Sequence, residues 1–172
     1  MRLFIAVPVP VNVRRALYEA QRQLIKAGVT GRFVPMENYH ITMKFLGECG
    51  DLAGAVGAIR LATADAKPIP LHLAGYGAFS SGGGRTGHIT IDDPKKELTR
   101  LAELLSSALS DAGIITRSER FVPHITLGRG LTEVSEEIAV RREAFTADSL
   151  ILYESTLTKN GPLYEALHRE VF

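Results

Sequence analysis

The sequence predicts an α+β domain of two pseudo-symmetric lobes with a cleft between them, spanning residues 1–172. Three observations point there. Period-two apolar segments alternate with long helical ones. Arg32-Phe33-Val34-Pro35 before His40-Ile41-Thr42-Met43 returns as Arg120-Phe121-Val122-Pro123 before His124-Ile125-Thr126-Leu127. Each copy also follows a strand and a long helix. A chain of 172 residues is long enough for one well-filled core or two small lobes.

Leu3 to Val7 is a short apolar run and reads as a buried strand. Val11 to Ala27 follows, with Val13, Leu17, Ala20 and Leu24 at helical spacing and Gly28 as the stop. His40 to Leu46 has Ile41, Met43 and Phe45 on one face, which is strand periodicity. Asp51 caps an alanine-rich helix to Ala66, and Ile69, Leu71 and Leu73 form a strand ending at Gly75. Ser80 to Gly87 is a glycine-rich stretch expected to be flexible. It lacks the Gly-Lys-Ser/Thr ending of a phosphate-cradling loop. A strand at His88–Asp92 and a helix from Pro94 to about Ala112 come next, the helix striped by Leu98, Leu101, Leu105 and Leu109. His124 to Gly128 is a strand and Thr132 to Val140 a short helix. Asp148–Thr158 and Leu163–Val171 form a hairpin around Asn160-Gly161.

Composition excludes several classes of function. Apolar residues make up 45% and charged residues 23%, as in ordinary globular proteins, and the net charge of +1 supplies no global field for a nucleic-acid backbone. Any recognition of a nucleic acid must therefore be local, an end rather than a duplex. Cys49 is the single cysteine, so neither an internal disulfide nor a thiolate zinc cluster can form. Neither HxH nor HExxH occurs. The apolar start is too short for a leader or a membrane span, which leads us to expect a cytoplasmic protein.

Three of the five histidines have threonine two residues on: His40/Thr42, His88/Thr90 and His124/Thr126. With twelve threonines in 172 residues, chance supplies roughly 0.35 such pairs. Residues i and i+2 of a strand share a face, about 6.6 Å apart. An imidazole and a hydroxyl thus reach one phosphate from one strand. Two such strands facing each other place one imidazole on either side of the phosphorus. In-line displacement needs that geometry, a base on the attacking oxygen and an acid on the leaving one. Histidine serves both roles because its ordinary pKa is about 6.5, and threonine hydroxyls steady the non-bridging oxygens. A single strand histidine is usually structural. A matched pair in matched contexts points to chemistry.

Asn38-Tyr39-His40-Ile41-Thr42-Met43-Lys44-Phe45-Leu46-Gly47-Glu48 and Phe121-Val122-Pro123-His124-Ile125-Thr126-Leu127-Gly128-Arg129 resemble the two HxTx motifs of the two-histidine phosphoesterases. Within that superfamily the chain looks closest to the bacterial and archaeal RNA 2′,3′-cyclic phosphodiesterases, formerly grouped as 2′-5′ RNA ligases. The resemblance runs from Arg2-Leu3-Phe4-Ile5-Ala6-Val7 to Leu152-Tyr153-Glu154-Ser155 and Pro162-Leu163-Tyr164. It implies two lobes, each an antiparallel sheet backed by helices, working without metal or cofactor. It implies hydrolysis of a terminal cyclic phosphate to a 2′-phosphomonoester, with His40 as proton donor and His124 as proton acceptor. Thr42 and Thr126 would hold the phosphate, on RNA 3′ ends or small cyclic nucleotides, and a monomer away from membranes is expected.

Other residues border this constellation. Arg129 stands where the family carries an arginine near phosphate, although its odd parity relative to His124 argues for a strand end. Lys44 shares parity with His40 and Thr42. Phe4 suits either a core position or stacking on a base. His88 lacks the upstream tetrapeptide, should fall opposite Phe4 in the repeat, and reads as a decoy for catalysis that lines a base pocket. His72 and His168 read as solvent-facing. Three alternatives stay open: a nucleotide-binding relative without turnover, RNA end joining or 2′-5′ cleavage on the same site, and a metallohydrolase.

Overall fold

The computed structural model describes residues Met1–Phe172, apart from the side chain of Ser81. Strand β1 (Arg2–Pro8) pairs antiparallel with β3 (His40–Glu48) on one side and β8 (Ser149–Thr158) on the other. β8 continues into β9 (Gly161–Val171), giving a four-stranded sheet in the order β3-β1-β8-β9. The second sheet is β2 (Arg32–Phe33), β6 (His124–Leu131), β5 (Gly84–Asp92), β4 (Ile69–Ser81) and β7 (Ala144–Ala147), in the order β2-β6-β5-β4-β7. The two sheets touch along β3 and β6. This is the expected mixed architecture of two antiparallel sheets with helices.

Helix α1 (Val11–Lys26) buries Val13, Leu17, Ala20 and Leu24, the stripe expected of it, and Gly28 at φ +89° ends it. It does not stay with the sheet it is connected to. Buried Gln21 on α1 donates through Nε2 to the carbonyls of Val34 (2.8 Å) and Leu127 (3.0 Å), so α1 is bonded to the second sheet. Helix α2 (Leu52–Thr63) is capped by the Asp51 carboxylate, which accepts from the Gly54 amide at 2.8 Å. Helix α3 (Glu97–Asp111) packs on α2 and reaches β3 of the first sheet. Helices are thus exchanged between halves. The buried residues of both sheets and all three helices join one apolar cluster.

Four expectations need correction. α3 begins at Glu97, not Pro94. The Asp93 carboxylate accepts from the Glu97 and Thr99 amides (both 3.1 Å), and Lys96 at φ 57° makes the turn. Residues 132–140 form no helix. Gln23 on α1 bonds both the amide (2.9 Å) and the carbonyl (2.7 Å) of Ala139, taking up groups a helix would use internally. A short strand, β7, had no counterpart in the periodicity because four residues carry too little pattern. Finally, the Ser80–Gly87 stretch is not a loose loop: Ser80 pairs with Arg85, Phe79 with Thr86 and Ala78 with Gly87 in the β4/β5 ladder.

Candidate active site

His40 opens β3 and His124 opens β6, the two strands along which the sheets meet. Each ring is held the same way. His40 Nδ1 lies 2.7 Å from the carbonyl of Asn38 and His124 Nδ1 lies 2.6 Å from that of Val122, two residues back in both cases. A carbonyl only accepts, so each Nδ1 carries a proton, and whenever a ring is neutral its lone pair sits on Nε2. In the first half the Thr42 hydroxyl donates to that lone pair at 2.8 Å. Burial pushes the His40 pKa down to about 4. The Asn38 carbonyl opposes the shift, and the positive charges of Arg129 and of His124 add to it. Charges from the second half therefore act on the histidine of the first.

Backbone register makes the two halves equivalent. Pro8 faces His40 and Ala6 faces Thr42, as Thr90 faces His124 and His88 faces Thr126. Beyond each threonine the histidine-bearing strand carries one extra residue, so Ile5 meets Lys44 as Gly87 meets Gly128. A bulge reverses the parity of everything after it. Arg129 is consequently turned to the His124 face instead of away from it, and it sits within the strand, not at its end. Lys44, by the same rule, leaves the His40 face, and its ammonium donates to the Arg117 carbonyl at 2.9 Å. Parity counted along the sequence misplaced both residues because bulges leave no period-two trace.

Aromatic rings wall the two histidines. Phe4 is only 3% exposed and stands outside the apolar cluster of the core. Its ring lies 5.0 Å from His40, 5.2 Å from Tyr153 and 4.8 Å from Tyr164, so its faces are already occupied. Tyr164 also meets His40 edge-on at 5.6 Å. In the second half His88 stacks on Phe79 at 4.2 Å and meets His124 at 5.2 Å. His88 corresponds in register to Ala6, while Phe4 corresponds to Thr86, a correction of two residues to the expected match. The imidazole fits because Gly77 on β4 has no Cβ: one there would lie 3.0 Å from His88 Nε2. Its Nδ1 is buried with no well-formed hydrogen bond, only the Thr86 carbonyl lying near the ring; burial followed by the His124 charge lowers its pKa, with that carbonyl opposing. Tyr164 and Phe79 were not singled out in the sequence. Their only signal was an aromatic ring on a strand, which is ordinary core composition.

The remaining histidines lie elsewhere and hold carboxylates: His72 with Asp92 at 2.7 Å and His168 with Glu170 at 2.6 Å. Among the described residues no group of three or more His, Cys, Asp or Glu side chains is placed to hold a metal ion, and no helix is long and apolar enough to cross a membrane.

Two imidazoles with identical anchors on adjoining strands of a two-sheet fold invite comparison with known proteins. The profile of the 2′-5′ RNA ligase superfamily matches residues 13–157. The chain belongs to this superfamily. Relatives named RNA 2′,3′-cyclic phosphodiesterase align along nearly all of it. The protein of Archaeoglobus fulgidus is 33% identical, and that of Methanocaldococcus jannaschii 30% identical, each alignment covering 97% of this chain and 98% of the relative. Among solved structures, a Thermus thermophilus protein superposes with a TM-score of 0.81 at 28% identity, covering 99% of this chain and 97% of that one. Escherichia coli LigT complexed with 3′-AMP gives 0.72 at 25% identity, covering 99% and 96%. The superfamily's two-sheet architecture is therefore shared over the full length.

Proposed function

We propose that this member of the superfamily hydrolyses 2′,3′-cyclic phosphates at RNA 3′ ends or on small cyclic nucleotides, leaving a 2′-phosphomonoester. The observation that carries the reading is the pair of rings, His40 and His124, each with Nδ1 fixed on a carbonyl two residues back and Nε2 turned away from it. A water molecule attacks phosphorus in line with the bond to O3′, and His124 Nε2 takes its proton. The P–O3′ bond breaks, and a proton held on His40 Nε2 passes to the departing oxygen. Thr42, Thr126 and Arg129 supply donors and positive charge for the non-bridging oxygens as the five-coordinate phosphorus forms.

Empty, the site keeps His40 neutral near pH 7, since its pKa is about 4. The anionic substrate supplies the charge that lets His40 take up the proton it must donate. We further propose a monomer in the cytoplasm, with both histidines and the residues around them supplied by one chain.

The test is product analysis with a short RNA ending in a 2′,3′-cyclic phosphate, in the presence of a chelator. The expected product is the 2′-monophosphate. A 3′-monophosphate, or no turnover, would reject the reading. Adding an RNA with a 5′-hydroxyl to the same assay reads end joining, in which that hydroxyl replaces water as the nucleophile and the two histidines keep their roles.

A further inference from the structure

Strand β2 is two residues long and consists of Arg32 and Phe33 docked on β6. Arg32 is the direct cross-strand partner of Arg129. Directly opposed residues of an antiparallel pair project from the same face with Cβ atoms about 5 Å apart. Arg32 therefore shares the cleft face with Arg129. Its two terminal nitrogens lie over Gly130: a Cβ there would be 3.8 and 3.9 Å from them. The position is built by close backbone approach. A Cβ on Gly31 would meet the Gly130 carbonyl at 2.7 Å and that of Arg129 at 3.0 Å, and one on Gly84 would meet Gly130 Cα at 3.0 Å. Glycines thus press β2 and the β4/β5 hairpin onto the bulged end of β6.

Two arginines directly opposed on neighbouring strands repel each other. Among the described residues neither makes an ion pair or a side-chain hydrogen bond that would relieve this repulsion; the ion-paired arginines are Arg60, Arg85 and Arg141. In a chain of net charge +1, an unrelieved cationic pair beside the candidate active site calls for more than one anionic group. A nucleoside cyclic phosphate has one.

We propose that Arg32 binds the phosphodiester next to the terminal cyclic phosphate, so that the enzyme selects an RNA chain end over a free cyclic nucleotide. The inference rests on the reaction assigned above and names which of its two substrate classes is preferred. Arg129 faces the terminal phosphate and Arg32 extends the cation by one strand. Phosphate contacts of this kind position a nucleic acid without reading its bases.

The experiment compares kcat and KM for a nucleoside 2′,3′-cyclic phosphate and for a short oligoribonucleotide ending in the same group, over a range of salt concentrations. Arg32→Gln should lower kcat/KM for the oligonucleotide roughly fivefold more than for the nucleotide, as expected of an exposed charge contact. The loss should appear in KM, and the slope of log(kcat/KM) against log salt should become shallower by about 0.7, one phosphate contact on a single strand. Arg32→Lys should restore the salt slope. An equal fall on both substrates, or no fall on either, overturns the proposal. If the wild-type protein turns over neither substrate, the assigned reaction fails instead. Binding of a 3′-phosphorylated oligonucleotide to wild type and Arg32→Gln at two salt concentrations then decides the role of Arg32.

Discussion

The Thr42 hydroxyl lies 2.8 Å from His40 Nε2, the atom that holds and releases a proton in the proposed reaction. With the ring neutral the hydroxyl donates to it. With the ring charged the direction reverses, and the threonine proton is free for a phosphate oxygen. One contact therefore couples the charge of His40 to the readiness of Thr42. Thr42→Val should lower kcat about tenfold, the worth of one hydrogen bond made in the transition state. A fall in affinity with kcat intact would show that Thr42 only binds substrate.

His40→Ala and His124→Ala should each reduce kcat by a factor on the order of 10² to 10⁴, as removal of a general acid or base does. Under the proposal that the two act on one phosphorus, the double variant should lose far less than the product of the single losses. Full multiplication of the two effects, measured in the same assay, would argue that the rings act in separate steps.

His88→Phe should keep the stack on Phe79 and eliminate a buried nitrogen that has no well-formed hydrogen bond. Thermal stability should hold or rise. Activity should fall much less than in the His40 and His124 variants. A loss as large as theirs would make His88 a participant in the chemistry.

The proton affinity of His40 should respond to its neighbours in a fixed direction. An NMR titration of the empty protein should place its pKa near 4. Arg129→Gln should move it upward, since the Arg129 charge opposes protonation. Adding a 2′-phosphomonoester should also raise it. A value unmoved by both changes would place Arg129 outside the site.

The same shift ties stability to pH. The unfolded chain protonates this imidazole near pH 6.5, the folded protein only near pH 4. Acidification through that window favours the unfolded chain, so stability falls as pH drops from 6.5 towards 4. The full effect is up to about 3 kcal/mol. Urea midpoints at pH 7 and pH 5 should differ less in His40→Asn than in the wild type. An identical pH dependence in the two proteins would contradict the burial of this ring.

What the sequence disclosed and what it concealed divide along physical lines. Strands that begin at His40 and His124, and the α1 stripe of Val13, Leu17 and Leu24, were legible because burial on one face imposes a period. The repeated tetrapeptide located the two histidines for the same reason: equivalent halves need equivalent lead-in turns. The orientation of Lys44 and Arg129 was hidden because it depends on an extra residue in β3 and in β6, which changes the facing of side chains without changing their spacing. The irregular path of residues 132–140 was hidden too. Val134 and Ile138 are spaced as in a helix, but the side chain of Gln23, more than a hundred residues away, claims the backbone there. Long-range partners of this kind override local preference.

The bond from Gln21 to the Leu127 carbonyl lashes the first half of the polypeptide to the strand that bears His124. With α3 reaching across in the opposite direction to β3, the molecule is laced like a boot: neither side stands without the other. Neither half should therefore survive excision as an independent folded piece, and the two imidazoles are held at a set separation before any substrate arrives. An enzyme built this way has little to gain from domain closure, and its turnover should be insensitive to solvent viscosity until diffusion itself becomes limiting.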